Sequence, residues 1–195
     1  MRLFLLSALA AYLPLSALAQ TADTVSAPAS AALVQPAERI GKLFDELKRE
    51  RDPDSARGIA DRIRREWQDS GSPTVNLLIQ WADKAVADEK NVSALDFLDE
   101  AIRLRPDYVE GWNRRATLHY KMGNLRKAMS DINRVLAIEP RHFGAIAGMA
   151  AILTDTGRDT LALQAWERFL AVYPSERRAQ KALGDLAEKL TGQRT

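Results

Sequence analysis

From residue 38 to residue 190, apolar side chains recur at intervals of three and four, and polar residues fill the positions between them. This spacing places the apolar side chains on one face of a helix. The sequence shows no sustained alternation of polar and apolar residues and no Asn-Gly or Asp-Gly hairpin turn. The pattern therefore predicts an all-α fold.

The helical pattern repeats at a constant interval along the chain. A proline marks each period, and small or apolar residues occupy fixed positions before it. Self-similarity of this kind is the signature of stacked helix pairs, in which each unit buries its apolar face against the next. The matching sets are Pro106, Pro140 and Pro174; Ala94, Ala128 and Ala162; Ala82, Ala116 and Ala150; Leu98, Ile132 and Trp166; and Ile102, Leu136 and Leu170.

Turn signals divide each unit into two helices. Gly123 and Gly157 supply the left-handed residue that ends a first helix, and the proline ends each second helix. Ser72 followed by Pro73 is a strong helix start. Side-chain caps are expected from Asn91, Asp107, Asn124 and Asp159. The predicted units span residues 75–108, 109–142 and 143–176, in a repeat region of residues 73–174.

The middle unit resembles the tetratricopeptide repeat (TPR) family. The resemblance is carried by two aromatic residues, two alanines, a turn glycine and a closing proline, which are Trp112, Ala116, Tyr120, Gly123, Ala128 and Pro140. It covers residues 75–176 well and implies a right-handed α-solenoid of antiparallel helix pairs. Residues 38–72 are then a degenerate first repeat or an N-terminal cap. Residues 175–195 are a C-terminal capping helix and tail.

Residues 1–19 are typical of a secretory signal peptide. Arg2 precedes an apolar run over residues 3–15, and Ala17-Leu18-Ala19 matches the small-x-small cleavage pattern. The run is shorter than the roughly 20 residues that a helix needs to cross a bilayer; a retained anchor is the alternative. Residues 20–37 are expected to form a flexible leader. The mature protein is expected in a bacterial periplasm, after cleavage near Ala19.

Charge and cysteine content narrow the classes of function. The chain has 28 basic and 26 acidic residues. This near balance argues against nucleic acid as a partner, because nucleic-acid binders usually carry a concentrated basic face. Cysteine is absent, which excludes disulfides, thiolate metal sites and a thiol nucleophile.

Few residues have the spacing of a catalytic or metal site. The chain has two histidines, His119 and His142, and neither is followed by a second metal ligand three or four residues later. His119 is expected to be packed, and His142 to lie in a solvated turn between repeats. The phosphate-binding, nucleophile-elbow and zinc-protease motifs do not occur. We therefore expect no enzyme activity, no metal and no cofactor.

The resemblance implies a binding function. In the family, the first helix of each repeat lines a concave surface that holds a peptide or a partner's helix. The facing residues here would be Asn76, Ile79, Gln80, Asp83, Glu110, Asn113, Arg114, Thr117, Tyr120, Lys121, Gly144, Ala147, Gly148, Ala151 and Thr154.

Four of these residues, Gly144, Ala147, Gly148 and Ala151, follow the spacing i, i+3, i+4, i+7, so one face of their helix would be nearly bare. One interpretation is a packed helix that tolerates its glycines. The other is a smooth apolar trough for a peptide with small apolar residues and an acidic group. Residues 27–34 are an internal candidate for occupying this trough.

The expected role is a non-catalytic scaffold or adaptor that supports cell-envelope complexes. Two alternatives are open: a regulatory accessory subunit of an envelope enzyme, and a self-associating structural protein such as a homodimer. A co-chaperone role is disfavoured. The carboxylate clamp of the family uses lysines and asparagines spread over three repeats. Here Asp83 and Ile79 stand where the clamp would need asparagine and lysine, and Ala147 and Gly148 contribute no charge.

Overall fold

The computed structural model describes residues 36–192, which form nine helices and no strand. The predicted signal peptide, the leader up to residue 35 and residues 193–195 lie outside the described residues. The all-α prediction is confirmed for residues 36–192, and no helix in this range is long and apolar enough to cross a membrane. The helices are α1 (Pro36–Arg49), α2 (Pro53–Gln68), α3 (Pro73–Ala87), α4 (Asn91–Leu104), α5 (Val109–Lys121), α6 (Leu125–Ile138), α7 (Phe143–Asp155), α8 (Asp159–Val172) and α9 (Arg177–Gly192).

Three helix pairs form the repeat units: α3 with α4, α5 with α6, and α7 with α8. Each helix of a pair contributes an alanine that is almost completely buried, and both alanines belong to the same apolar cluster. Interiors are close-packed, so these small side chains allow the two helices to approach each other. The alanines are Ala82 and Ala94, Ala116 and Ala128, and Ala150 and Ala162.

The turn inside each unit has one residue in the left-handed backbone conformation, at the same position of the repeat. Glu89, Gly123 and Gly157 have φ angles of 59°, 74° and 69°. The next residue in each turn donates its backbone N–H to a carbonyl five positions earlier: Lys90 to Ala85, Asn124 to His119 and Arg158 to Leu153, each at 2.8 Å. The first unit makes this turn without glycine, although a side chain in that conformation costs roughly 1–2 kcal/mol.

Some of the predicted caps are wrong. Ser72 does cap α3, since its Oγ accepts the N–H of Val75. However, α5 has Tyr108 at its cap position, because the Asp107 carboxylate is bound by Arg105 at 3.1 Å instead. Asn124 holds the cap position of α6 without a side-chain bond. Asn91 and Asp159 are already the first residues of their helices.

The pairs stack in chain order, and α9 covers the last of them. α4 contacts α5, α6 contacts α7, and α8 contacts α9. Ala179 and Leu186 of α9 are buried, and Lys189 Nζ lies 2.7 Å from Asp159 Oδ2 of α8. Such a helix shields the apolar face that the last unit would otherwise expose.

The N-terminal hairpin, α1 with α2, makes its main contacts with later units of the stack. Outside the hairpin, α1 contacts α8 and α2 contacts α5. Trp67 of α2 stacks on His142 at 4.0 Å between ring centroids and packs on Phe143 at 5.1 Å. The Tyr108 hydroxyl donates to the Gln68 carbonyl at 3.0 Å.

This hairpin changes the environment of His142. The sequence predicted a solvated turn, and that prediction is wrong, because the ring is covered by Trp67 and is 2% exposed. His142 Nδ1 accepts the N–H of Ala145 at 3.0 Å and so caps α7. His119 is packed as predicted, at 7% exposed.

Candidate partner-binding groove

A groove runs across the first helices of the three units. It consists of two neighbouring cavities, one of about 280 Å³ beside α3 and α5 and one of about 150 Å³ between α5 and α7. Asn113 and Thr117 of α5 line both cavities, so the two lie side by side along this helix. The first cavity is also lined by Ala82, Asp83, Val86, Leu98, Glu110, Arg114, Leu118 and Lys121. The second is also lined by Ala116, Tyr120, Ile132, Gly144, Ala145, Gly148 and Ile152.

The first cavity is the charged end of the groove. Arg114 of α5 forms an ion pair with Asp83 of α3, which links the two units across the cavity. Glu110 Oε2 accepts a hydrogen bond from Asn113 Nδ2 at 2.9 Å and lies 3.3 Å from His142 Nε2. Two carboxylates therefore stand among two cationic side chains, those of Arg114 and Lys121. This end suits a polar segment with balanced charge.

The second cavity is the small-residue end. A Cβ on Gly148 would lie 3.3 Å from Ile132 Cδ1, and a Cβ on Gly144 would lie 3.3 Å from the His142 ring. Both distances are tighter than ordinary packing, so the glycines allow α7 to lie close to α6 and to its own capping residue. The space left over is the cavity that the two glycines line.

The far end of the groove is closed by a tyrosine. The Tyr120 hydroxyl donates to Asp155 Oδ2 at 2.5 Å, which ties the end of α5 to the end of α7. This hydrogen bond to a carboxylate raises the pKa of Tyr120. The phenol therefore stays protonated and acts as a donor.

Several residues predicted to face a partner lie elsewhere. Ile79 is buried in the core of the first unit at 5% exposed. The Asn76 side chain bonds Asp69 and Ser70, so it holds the link between α2 and α3. Gln80 is exposed outside both cavities. Of the predicted residues on α3, Asp83 lines the groove.

The bare face predicted on α7 divides into two parts. Its glycines line the second cavity, whereas Ala147 and Ala151 do not. Ala147 packs against the main apolar cluster instead. The predicted trough is thus reduced to the surface around Gly144 and Gly148.

Sequence reasoning missed two parts of the groove. Leu98 and Ile132, from the second helices, line its walls. Their matching positions in the repeats identify them as core residues, but do not show that part of each side chain borders a cavity. The second part is the stacking of Trp67 on His142, the residue that contacts Glu110 and Gly144 of the groove. The unusual bulk of Trp67 in its repeat position was the available signal.

Comparisons with known proteins agree with this architecture. No model of a known protein family matches the chain. A TPR repeat-containing protein of Rhizobium etli is 56% identical over 203 residues, and the match covers 100% of this chain and 98% of that protein.

Solved structures are similar in fold. The first TPR of Spaghetti (RPAP3), bound to the HSP90 peptide SRMEEVD, has a TM-score of 0.58 at 20% identity, covering 62% of this chain and 95% of that chain. The Sgt2 TPR domain from Aspergillus fumigatus has a TM-score of 0.57 at 18% identity, covering 64% and 84%. At these identities the structures show the fold alone, and they confirm the predicted TPR-type solenoid. With the relative in Rhizobium matched along its whole length, this chain belongs to the TPR repeat-containing proteins.

Proposed function

We propose that the protein is a non-catalytic adaptor or scaffold that binds a peptide or a short helix of a partner protein in the groove. The TPR fold is a scaffold for protein–protein interaction. The observation that carries the proposal is the row of two neighbouring cavities along α5: they lie at two successive unit boundaries, and the lining changes from charged in one to small and apolar in the other. A cleft that combines apolar walls with a few convergent polar groups is a common form of binding site.

The lining indicates the chemistry of the ligand. The cavity at Gly144 and Gly148 has room for a small apolar side chain, such as alanine or valine. Asn113 and Thr117, between the cavities, offer side-chain polar groups to the ligand's backbone. At the charged end, Lys121 is exposed and suits an acidic ligand residue.

A strongly acidic tail fits this groove poorly. The Spaghetti TPR binds the HSP90 peptide SRMEEVD, whose C-terminal half is acidic. Here Asp83 and Glu110 place two carboxylates in the charged cavity. Like charges that face each other in an interface are unfavourable. We therefore propose a partner other than such a peptide.

The location belongs to the proposal as well. Residues 1–19 have the sequence features of a signal peptide, which supports export to a periplasm and a role in assembling or maintaining cell-envelope complexes. Residues 27–34 stay a candidate internal ligand by composition. Both segments lie outside the described residues.

The test is affinity capture from periplasmic extract, followed by titration of a synthetic peptide from the captured partner. Gly148→Val fills the small-residue end, and Arg114→Ala removes the cation of the charged end. Each change is expected to weaken binding by about tenfold or more, the effect of removing one well-packed interface contact. Gln80→Ala, an exposed position on α3 outside both cavities, is the control.

The outcomes separate the possibilities. Loss of binding in both groove variants with retention in the control supports the proposal. If Gly148→Val and Arg114→Ala hold every partner as tightly as the parent chain, the groove is not the binding site. The peptide SRMEEVD is the specificity control, and it is expected to show no saturable binding.

A further inference from the structure

The exposed apolar surface of the protein is concentrated on one unit. Among residues 38–192, six large hydrophobic side chains are exposed, and four of them lie on α3 and α4: Leu77, Trp81, Val92 and Leu104. Trp81 packs on Phe97 of α4 at 5.6 Å between ring centroids. Beside this pair is an open cavity of about 380 Å³. We define Leu77, Trp81 and Phe97 with this cavity as the α3 face.

The repeat shows what lies over the same positions in the next unit. Leu77 and Trp81 correspond to Gly111 and Arg115 of α5. A Cβ on Gly111 would lie 3.3 Å from Ile102 Cγ1 of α4. Arg115 Nη1 lies 2.6 Å from an oxygen of Asp99, also on α4. On α5, therefore, the second helix of the preceding unit covers these positions.

The same two positions are also covered in the third unit. Ala145 and Met149 of α7 hold these two positions there; Ala145 is completely buried, and Met149 packs among apolar clusters. In the first unit, by contrast, Leu77 is 42% and Trp81 is 45% exposed. The reason is the placement of the N-terminal hairpin, whose main contacts are with α5 and α8. The position that a preceding second helix would take on α3 is left open.

The charged residues around the cavity indicate which kind of helix would bind there. Lys84 and Lys90, which both line the cavity, contact one carboxylate, that of Asp88, at 3.3 and 3.4 Å. One positive charge is in excess beside the aromatic pair. The helix that covers the equivalent positions of α5 is itself acidic, with Asp96, Asp99 and Glu100 against Arg103. An acidic helix is the complementary occupant.

We propose that the α3 face is a second docking surface, which binds an acidic amphipathic helix of a partner protein in the position that α4 takes on α5. This surface is separate from the groove. The ligand class follows from the stack itself: an apolar stripe packs over Leu77 and Trp81, and a carboxylate meets Lys84 or Lys90. A helix laid on an apolar surface in this way is a common mode of peptide recognition.

The probe is a helix-stabilised synthetic peptide with the sequence of Asn91–Leu104, titrated against the full chain by fluorescence anisotropy. The matched control peptide has the sequence of Leu125–Ile138, which covers α7 but is basic, with Arg126, Lys127 and Arg134 against Asp131. The acidic probe is expected to bind more tightly than the basic one. Leu77→Glu and Trp81→Glu are each expected to weaken the acidic probe about tenfold.

A third substitution tests whether an added surface carboxylate by itself weakens binding. Leu161→Glu replaces a similarly exposed leucine on α8, at 47% exposed, and is expected to leave probe binding unchanged. The thermal midpoints of all three variants are compared, so that unfolding is not mistaken for lost binding. Leu77→Glu keeps the test decisive if Trp81→Glu disturbs α4.

Three outcomes are distinguishable. Binding that Leu77→Glu weakens about tenfold or more and Leu161→Glu preserves supports the α3 face. Binding that is insensitive to Leu77→Glu and Trp81→Glu, or absent up to about 1 mM probe, overturns it. If light scattering shows a dimer that Trp81→Glu dissociates, the occupant is a second copy of the chain and the proposal of a partner's helix fails.

Discussion

The two sides of the first turns of α7 differ in what covers them. On one side, His142 and Phe143 are buried beneath Trp67, and Phe143 also makes edge contacts with Phe169 and Tyr173. On the other side, Gly144 and Gly148 border a cavity. Residues that are neighbours in sequence thus serve opposite purposes. Side-chain size makes the difference: the aromatic rings fill the space on one side of the helix, and the glycines leave a cavity on the other.

The difference also separates stability from binding. Aromatic rings contribute much of the energy of a core, and each ring pair adds roughly 0.5–1.5 kcal/mol beyond the buried area. The glycines make no such ring pairs, although a Cβ on Gly148 would lie 3.3 Å from Ile132 Cδ1 and so cost some stability by overpacking. Substitutions on the covered side are expected to lower the free energy of unfolding most, and those at Gly148 to weaken ligand binding in the groove with a smaller loss of stability.

The largest effect is expected at the centre of the covered side. Trp67→Ala removes a side chain that is 7% exposed and leaves a cavity above His142 and Phe143. The expected loss in the free energy of unfolding is about 3–5 kcal/mol, measured by urea denaturation. Trp81→Ala, at 45% exposed, is the matched tryptophan control. An equal loss in both variants would show that the hairpin contributes no more than a surface contact.

A smaller effect is expected at the boundary between the two sides. His142→Ala removes both the cap on Ala145 and the stack on Trp67. Together these are worth about 2 kcal/mol. His142→Asn keeps a good capping side chain and should recover about 1 kcal/mol of the loss. If alanine and asparagine destabilise the protein equally, the cap has no measurable role.

The smallest effect concerns the other histidine, inside the middle unit. Burial lowers the pKa of His119 below its ordinary value of 6.5, so the unfolded chain binds its proton at a higher pH than the folded protein does. Stability is then complete above pH 6.5 and falls as the pH drops through this value toward the lowered pKa. The free energy of unfolding is measured against pH for the parent chain and for His119→Gln. The difference between the two curves should fall as the pH drops below 6.5. Parallel profiles between pH 7 and pH 5 would contradict it.

The local structure follows closely from the sequence, because it is set by contacts that recur from one unit to the next. The alanine columns and Gly123 identify the helix pairs and their turns. Glu89 takes the same left-handed turn without glycine, since the backbone hydrogen bonds of that turn do not need a special side chain. The Asp107 cap failed because the nearby Arg105 competes for the same carboxylate.

The placement of the N-terminal hairpin could not be predicted in the same way. Periodicity identifies which face of α1 and α2 is apolar, but not which distant surface it covers. The prediction of a solvated turn at His142 was wrong for this reason. Ile79 and Asn76 do not line the groove, because their side chains make contacts within α3–α4 and in the α2–α3 link. Long-range packing decided the position of His142, and contacts between neighbouring helices decided those of Ile79 and Asn76.

The N-terminal hairpin also alters how the repeats are coupled. In an ordinary solenoid each unit touches its neighbours alone, so unfolding spreads from the ends, one unit at a time. Here the hairpin joins α5 and α8, which are distant in sequence. The hairpin contacts therefore add a direct link between the second and third units, and we expect these two units to unfold more cooperatively than the stack alone would make them.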